Sequence, residues 1–257
     1  MSLLDQVAPA PRKIMTLFYL VDTSGSMMGD KLGAVNNAMQ EAITVDLPDI
    51  SAANDDAEIR VAIMQFSTDC SWITPSSGPI PIGDVIWNDL TPNGLTDLGA
   101  AFKELDSKLS RTGFLQSQTG AYAPVVLLVS DGGPTDDWEN GLKKLKENNW
   151  FKHAIKIALA AGFDADIDVL AAFTGTREAV ITVHDKQTLK ALIRKVSVRA
   201  SEFQSHSKPT SDTVTSAEED SAAIVKDVVQ DITDGNVDTS GGDPIDVSID
   251  PSWGTDW

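Results

Sequence analysis

Apolar runs of strand length alternate with helical patterns through the first 200 residues, and this alternation restricts the possible folds more than any other feature. Five runs are polar only at their ends, as in strands buried on both faces of a sheet; they span residues 14–21, 59–66, 125–129, 155–160 and 179–183. Helical spacing occurs between or after them, over residues 31–45, 97–109, 137–148 and 186–198. Such an alternation forms βαβ units. We therefore predict a doubly wound α/β domain with a mostly parallel central sheet and helices on both faces.

Residues 72–82 have a different pattern, because Pro75, Pro79 and Pro81 interrupt them. Proline cannot donate a hydrogen bond to a neighbouring strand, so this stretch is predicted as a hairpin at the edge of the sheet. In open parallel sheets the functional loops follow the carboxyl ends of the strands. Candidate functional residues are therefore expected where the predicted strands end.

The chain carries 38 acidic and 20 basic residues, which gives a formal net charge of −18. Such a field repels nucleic acid and anionic lipid, so we expect neither as a partner and favour cations or basic protein surfaces. No apolar stretch approaches the roughly 18 residues of a membrane helix, and the apolar run before Asp22 lacks a small-residue cleavage site. The single cysteine, Cys70, excludes an intramolecular disulfide and a cysteine-based zinc site. These features favour a cytoplasmic location.

The acidic residues are unevenly distributed along the chain. Residues 201–257 contain 13 acidic and two basic residues and are rich in Ser, Thr, Gly and Pro, which is typical of a flexible segment. Within them, apolar residues at helical spacing predict a short amphipathic helix near 221–232. We therefore divide the chain into an N-terminal lead-in (1–13), one α/β domain (14–200) and an acidic, largely flexible tail.

Short polar side chains are concentrated in three segments at predicted strand ends or loops. Asp22, Ser24 and Ser26 follow the first strand in a D-x-S-x-S spacing. Thr96 precedes a predicted helix, and Asp131 closes the apolar run VVLLV. Carboxylate and hydroxyl oxygens are hard donors that suit Mg²⁺, or Mn²⁺ in its place. The sequence therefore predicts a metal site at this edge of the sheet.

The predicted site is suited to binding rather than to catalysis. Neutral hydroxyl ligands leave the ion much of its charge, while the two carboxylates can accept hydrogen bonds from metal-bound water. An open octahedral position would then take a Glu or Asp carboxylate from another protein. No side chain is placed by motif as a nucleophile or a general base. We therefore expect a metal-dependent protein-binding module that has no enzymatic activity.

The segments DTSGS, NGLTDLGAA and VSDGGPTDDW resemble, in this order, the three loops of the metal-ion-dependent adhesion site of von Willebrand factor A domains. The resemblance covers roughly residues 14–198. It implies that Ser24, Ser26 and Thr96 ligate the ion directly and that the two carboxylates act through water. All five positions of the pattern are present in this chain.

A narrower resemblance is to the TerY-like proteins of bacterial tellurium-resistance and stress operons. It rests on the segments FYLVDTSGSMMGDKLGAVNNAM, DGGPTDDW and KHAIKIALAAGFDADIDVL. In that family the domain is a stand-alone cytoplasmic protein, and its gene often lies beside those of a protein kinase and a serine/threonine phosphatase. The resemblance implies an adaptor for such partners.

Other interpretations use the same residues. A Mg²⁺-dependent hydrolase or phosphotransferase would use the ion for turnover, and a structural subunit would use it only to stabilise the fold. Asp136 and Asp137 are interpreted as caps of the helix that begins near Trp138, with a role as extra ligands as the alternative. The acidic tail is either a solvated end or a segment that docks on a partner. Some of its carboxylates are candidate ligands for the ion of their own or of a neighbouring domain; they are Glu218, Glu219 and Asp256.

Overall fold

The computed structural model describes residues 12–118, 120–162, 165–183, 186–206, 216–233 and 247–248. Their strands are β1 (Lys13–Asp22), β2 (Ala57–Phe66), β3 (Cys70–Trp72), β4 (Ile80–Pro81), β5 (Val125–Ser130), β6 (Ile155–Ala161), β7 (Val180–Val183) and β8 (Val247–Ser248). They form one sheet in the order β3-β2-β1-β5-β6-β7-β8, with β4 also paired to β2. The strands from β2 to β7 in this order run parallel, which confirms the predicted mostly parallel sheet.

The edges of the sheet are antiparallel. β3 and β4 both pair with β2, so the proline-rich stretch lies at an edge as predicted. It is not a hairpin, however, because the two short strands pair with β2 at separate positions rather than with each other. At the other edge, β8 pairs with the end of β7.

The helices are α1 (Asp30–Glu41), α2 (Leu47–Ala53), α3 (Leu98–Lys108), α4 (Trp138–Glu147), α5 (Asn149–Lys152), α6 (Ile167–Thr174), α7 (Lys186–His206) and α8 (Ala217–Thr233), and those up to α6 lie between the parallel strands along the chain. A π-helical segment, Ala42–Asp46, joins α1 to α2. The sequence pattern does not predict α2 or α6, because seven or eight residues are too few to reveal a helical period. None of the helices in the described residues has the length and apolar content that a membrane crossing requires.

Successive residues of the central strand β1 face opposite sides of the sheet, as strand geometry requires. Leu17, Tyr19 and Val21 belong to one buried apolar cluster, together with residues of α1, α7 and α8. Phe18 and Leu20 belong to a second cluster, which includes residues of α3, α4 and α6. Helices therefore cover both faces of the sheet, which confirms the predicted doubly wound α/β class.

The helix α8 is part of this core. Four apolar residues on one of its faces are buried; they are Ile224, Val225, Val228 and Ile232. Among the described residues, β7 pairs with β6 only from Ala158 onward, which leaves the beginning of β6 without a strand on that side. There the backbone N–H of Lys156 donates to the Ser221 hydroxyl on α8, at 3.0 Å. A side chain of the helix thus supplies the acceptor that a neighbouring strand would otherwise provide.

These contacts differ from the domain boundary predicted near residue 200. α7 continues to His206, and α8 then returns the chain to the sheet. A helix is present where the amphipathic pattern near 221–232 predicts one, but it packs in the core of the domain. The flexibility predicted for residues 207–215, 234–246 and 249–257 lies outside the described residues, as does most of the N-terminal lead-in.

Candidate metal centre

Two neighbouring strands end at or directly before the carboxylates that the sequence predicts as metal ligands. β1 ends at Asp22 and β5 ends at Ser130, and because the two strands are parallel, their carboxyl ends meet at one edge of the sheet. The Ser130 hydroxyl donates to Asp22 Oδ2 at 2.6 Å. Asp131 follows directly and is also buried. The fold therefore places Asp22 near Asp131, because Ser130 is hydrogen-bonded to Asp22 and directly precedes Asp131 in the sequence.

The Asp22 carboxylate lies in a desolvated environment. Its second oxygen, Oδ1, accepts the backbone N–H of Ser24 at 2.8 Å. Burial raises the pKa of Asp22 above its usual range, against the lowering effect of the hydrogen bonds from Ser130 and Ser24, and the negative charge of Asp131 raises it further. Two carboxylates whose charges repel in a buried place are stabilised when a cation lies between or beside them.

The hydroxyl groups of the first loop also lie together. Ser24 is buried and Ser26 is exposed, and their Oγ atoms are 3.0 Å apart. A single 3₁₀ turn, Gly25–Met27, produces this arrangement, with the Met27 N–H donating to the Ser24 carbonyl at 3.0 Å. The buried Met27 side chain anchors the turn in the core. The loop therefore presents two hydroxyl oxygens within reach of one small ion.

Backbone hydrogen bonds attach the second loop to the first. The Gly25 N–H donates to the Gly94 carbonyl at 3.0 Å, and the Asn93 N–H donates to the Thr23 carbonyl at 2.7 Å. Thr96 follows two residues after Gly94 and is buried. The hydroxyl-bearing residue of the second loop is thus held beside the hydroxyl pair of the first.

The third loop is attached to the second through Thr135. Its backbone N–H donates to the Thr96 carbonyl at 2.8 Å, and its hydroxyl accepts the Thr96 N–H at 3.2 Å. The same hydroxyl donates to Asp97 Oδ1 at 3.0 Å. All five residues predicted for the metal site therefore lie on three loops that are hydrogen-bonded to one another at one edge of the sheet.

The structure adds two residues that the sequence analysis does not single out. Ser130 holds Asp22, and its hydroxyl also accepts the Gly132 N–H at 2.8 Å. Lys31, in the first turn of α1, places Nζ 3.1 Å from Asp131 Oδ2. Ser130 could have been found from its place at a strand end directly before Asp131. No local pattern indicates the Lys31 contact, because it spans 100 residues of sequence.

Asp136 and Asp137 have separate structural roles. Asp137 caps α4 as predicted, since its side chain accepts the Asn140 N–H at 3.2 Å. The prediction for Asp136 is wrong: its two oxygens accept the N–H groups of Gly99 and Ala100, each at 2.9 Å, so it caps α3. The reason is that α3 and α4 pack closely at glycines, which brings the third loop onto the first turn of α3.

The donors available for a metal ion are oxygen atoms of mixed type. Within the part of the chain that the structure describes, no three Asp, Glu, His or Cys side chains form a metal-binding cluster. Two carboxylates with three hydroxyls fit a hard cation such as Mg²⁺, and they do not fit a soft thiolate site.

Two of the acidic-tail carboxylates, Glu218 and Glu219, belong to the described residues, and both lie away from this site. Glu218 accepts a hydrogen bond from Lys156 Nζ at 3.2 Å, near the beginning of β6 and so at the opposite end of the sheet. The Glu219 carboxylate accepts the Ser216 N–H at 2.8 Å. The hypothesis that Glu218 or Glu219 ligates the ion of its own domain is therefore wrong for this arrangement, and Asp256 lies outside the described residues.

Residues 17–134 match the family of the von Willebrand factor type A domain. The open conformation of the pilus adhesin SpaC from Lactobacillus rhamnosus GG has a similar structure, with a TM-score of 0.57, 12% identity, and coverage of 75% of this chain and 30% of that chain. The ArnB paralog VWA2 from Sulfolobus acidocaldarius has a TM-score of 0.51 at 15% identity, with coverage of 72% and 45%. Proximal thread matrix protein 1 from the mussel byssus, with a zinc-occupied MIDAS motif, has a TM-score of 0.53 at 17% identity, with coverage of 76% and 49%.

The matched segment is similar to the von Willebrand factor type A domain, and it runs from within β1 to beyond the end of β5 and contains all five candidate donors. The chain spans between 30% and 49% of the length of these structural relatives. At such low identity the structural likeness shows the fold alone. Among curated proteins, none matches the sequence of this chain.

Proposed function

We propose that this chain is a protein-binding module that requires a divalent cation, held by Asp22, Ser24, Ser26, Thr96 and Asp131. One observation carries the proposal: two buried carboxylates lie at the ends of adjacent strands, where Asp22 accepts a hydrogen bond from the Ser130 hydroxyl, and a pair of serine hydroxyls follows Asp22 in the same loop. Lys31 compensates the charge of Asp131, whereas the Asp22 carboxylate is held by hydrogen bonds from Ser130 and Ser24 and is costly to ionise in its buried place unless a cation lies beside it. A divalent ion supplies that compensation and, with an open coordination position, attracts an anionic ligand.

The proposed ion is Mg²⁺, with Mn²⁺ as a substitute. The donor set consists of oxygen atoms, most of them neutral, and Mg²⁺ retains water in such sites. The mussel thread protein with its zinc-occupied MIDAS motif supports a divalent ion at this place in the fold. Through the resemblance to adhesion-type sites, the hydroxyl groups would contact the ion directly and the carboxylates through water.

The proposed ligand is a Glu or Asp side chain of a protein partner. Four of the five donors are buried, whereas Ser26 is exposed, so the ion would be approached from the side of Ser26. A carboxylate that arrives there would complete the coordination sphere. The surrounding loops would then determine which partner is accepted.

We further propose that the site has no catalytic role. The Asp22 carboxylate accepts hydrogen bonds from Ser24 and Ser130, and Lys31 is paired with Asp131. None of them is arranged as a nucleophile beside a general base. Mg²⁺-dependent turnover of a phosphate ester that disappears in Asp22→Ala would contradict this part of the proposal.

The biological setting that we propose is a cytoplasmic adaptor of a bacterial tellurium-resistance or stress system. It is supported by the TerY-like segments, including DTSGSMMGDK and DGGPTDDW. A protein kinase and a serine/threonine phosphatase encoded nearby are the proposed partners. A deletion strain that grows normally under tellurite and under general envelope or oxidative stress would contradict this setting.

The experiment that tests the metal site is titration calorimetry of the full chain with Mg²⁺ and with Mn²⁺. Wild type should bind one ion, and Asp22→Ala should lose binding by at least tenfold. The matched control is Asp137→Asn, which removes an exposed charge from the third loop while asparagine still caps α4. Equal affinity in wild type and Asp22→Ala would refute the assignment.

The experiment that tests partner binding is a pull-down from the native host with the same three proteins, each in Mg²⁺ and in EDTA. A partner captured by wild type and Asp137→Asn only in Mg²⁺ supports a metal-bridged adaptor. A partner captured equally in all samples places the binding surface elsewhere on the molecule. If ion binding is normal but no capture depends on it, the ion has a structural role.

A further inference from the structure

Two exposed apolar side chains lie on the loops of the candidate metal centre. The large apolar side chains that are well exposed in the described residues are Met28 (67%), Leu95 (58%), Val45 (51%) and Ile86 (80%). Met28 follows Ser26 by two residues, and Leu95 directly precedes Thr96. Single exposed apolar residues are ordinary on protein surfaces. This pair differs from the other two because each member is beside a hydroxyl donor of the proposed site.

Met28 and Leu95 are close to each other as well as to the site. The Met28 N–H donates to the Gly25 carbonyl at 3.3 Å, and the Gly25 N–H donates to the Gly94 carbonyl at 3.0 Å. Leu95 is the next residue after Gly94. Consecutive hydrogen bonds therefore join the two positions, and their Cα atoms lie within about 15 Å of one another.

The backbone beside both exposed side chains is conformationally restricted. Gly29, directly after Met28, has φ of 84°, and Gly94, directly before Leu95, has φ of 71°; both values favour glycine. The Leu95 N–H donates to the Thr68 hydroxyl at 3.0 Å. A Cβ atom on Gly94 would lie only 2.4 Å from that hydroxyl oxygen. The backbone that carries both apolar side chains is therefore held in place, which limits the conformational entropy lost when a ligand binds.

Acidic residues border the same surface. Asp30 is two residues after Met28, Asp69 follows the Thr68 that holds Leu95, and Asp97 follows Thr96. The whole chain has a formal net charge of −18. A partner segment that carries several acidic residues would be repelled, whereas one that carries basic residues around a single carboxylate is complementary.

We propose that the partner presents a peptide segment in which one Glu or Asp has an aliphatic neighbour and basic flanking residues, and that Met28 and Leu95 contact the aliphatic side chain. This inference rests on the proposed function, because it needs the carboxylate to bind at the metal. It adds the chemistry by which the site selects among acidic ligands. The carboxylate supplies metal-dependent binding, the aliphatic contact supplies selectivity, and the basic residues face the acidic border.

The test is selection from a phage-displayed library of random dodecapeptides on the immobilised full chain, in Mg²⁺ and in EDTA. Three proteins are compared: wild type, the double variant Met28→Ser with Leu95→Ser, and the control Val45→Ser with Ile86→Ser. The control removes the other two exposed apolar side chains, which are not on the loops of the site. Peptides selected on wild type are then measured individually against all three proteins.

We expect wild type and the control to select the same kind of peptide, and to do so only in Mg²⁺. Such a peptide has one Glu or Asp beside Leu, Ile, Val or Met, and Lys or Arg at the flanking positions. The Met28/Leu95 variant should keep the acidic requirement, lose the aliphatic preference and bind the wild-type peptides about tenfold more weakly. An acidic requirement without any aliphatic preference on wild type would overturn this inference alone. Equal affinity in the Met28/Leu95 variant would also overturn it. If no acidic residue is enriched in Mg²⁺, the proposed function fails and this inference fails with it.

Discussion

The loops of the candidate metal centre and the helix α8 are both attached to the sheet, but the contacts that attach them differ in kind. Backbone hydrogen bonds join the three loops to one another, as between Gly25 and Gly94. Apolar side chains, the Ser221 hydroxyl and the ion pair of Glu218 with Lys156 attach α8 to the core and to β6. Loops held by their backbone keep polar side chains in a fixed arrangement, whereas α8 contributes apolar burial. We therefore expect substitutions in the loops to affect ligand binding and substitutions in α8 to affect the stability of the whole domain.

The largest effect is expected for Val228→Asp on α8. Val228 is fully buried, so the substitution places an unpaired charge in the core and should lower the free energy of unfolding by about 3 kcal/mol or more. Chemical denaturation of the full chain measures this. The matched control is Ala223→Asp, which introduces the same charge at an exposed position of the same helix. Equal stability of the two variants would mean that α8 does not belong to the core.

The next largest effect is expected from the ion itself. At a concentration about 100 times its dissociation constant, Mg²⁺ should raise the free energy of unfolding of wild type by about 2.7 kcal/mol. Asp22→Asn should show no such increase, and in EDTA it should remain within about 1 kcal/mol of wild type, because it removes a buried charge while keeping the shape of the side chain. Thermal unfolding with Mg²⁺ and with EDTA measures both. A Mg²⁺ effect that survives in Asp22→Asn would contradict the site.

A smaller effect is expected for Asp136→Ala. Its carboxylate accepts two backbone N–H groups at the start of α3, and loss of such a cap lowers the free energy of unfolding by about 1–2 kcal/mol. Because α3 follows Thr96 directly, Mg²⁺ affinity should fall as well. Asp136→Asn keeps one acceptor oxygen and should lie between wild type and the alanine variant. Unchanged affinity with reduced stability would show that the loop around Thr96 does not depend on this cap.

The smallest effect is expected for Glu218→Gln, which removes the ion pair between α8 and Lys156. The Glu218 side chain is 41% exposed, and glutamine keeps an acceptor oxygen for the buried Lys156 ammonium, so the loss should be below about 1 kcal/mol. Burial opposes ionisation of Glu218, but hydrogen bonds and the charge of Lys156 outweigh it and lower its pKa below the usual value of 4.5. Because the pKa of Glu218 is lower in the folded protein than in the unfolded chain, the ion pair contributes fully to stability at pH values above 4.5. This contribution is lost as the pH falls through the lowered pKa of the folded state. The difference between the two proteins should therefore vanish in acid unfolding measurements, and a difference that grows in acid would contradict this account.

Much of the fold was predictable because it depends on neighbouring residues. The strands of the parallel sheet lie where the apolar runs predict them, and β1 ends at Asp22 where the first run ends. The candidate site was predictable for a related reason: parallel strands place their carboxyl ends at one edge, so polar residues after two such strands converge. The short helices α2 and α6 were not predictable, since they contain too few residues for a helical period.

By itself, the sequence determined the five parallel strands, the class of fold and the five candidate oxygen donors, because each depends on residues that are close along the chain. Only the tertiary structure decided where α8 lies, which helix Asp136 caps and which basic side chain pairs with Asp131. These contacts join residues far apart in sequence, such as Lys156 and Ser221, which are separated by 65 residues. A separation of that length leaves no local pattern, and the contact forms because the N–H of Lys156, at the beginning of β6 where β7 does not pair with it, needs an acceptor.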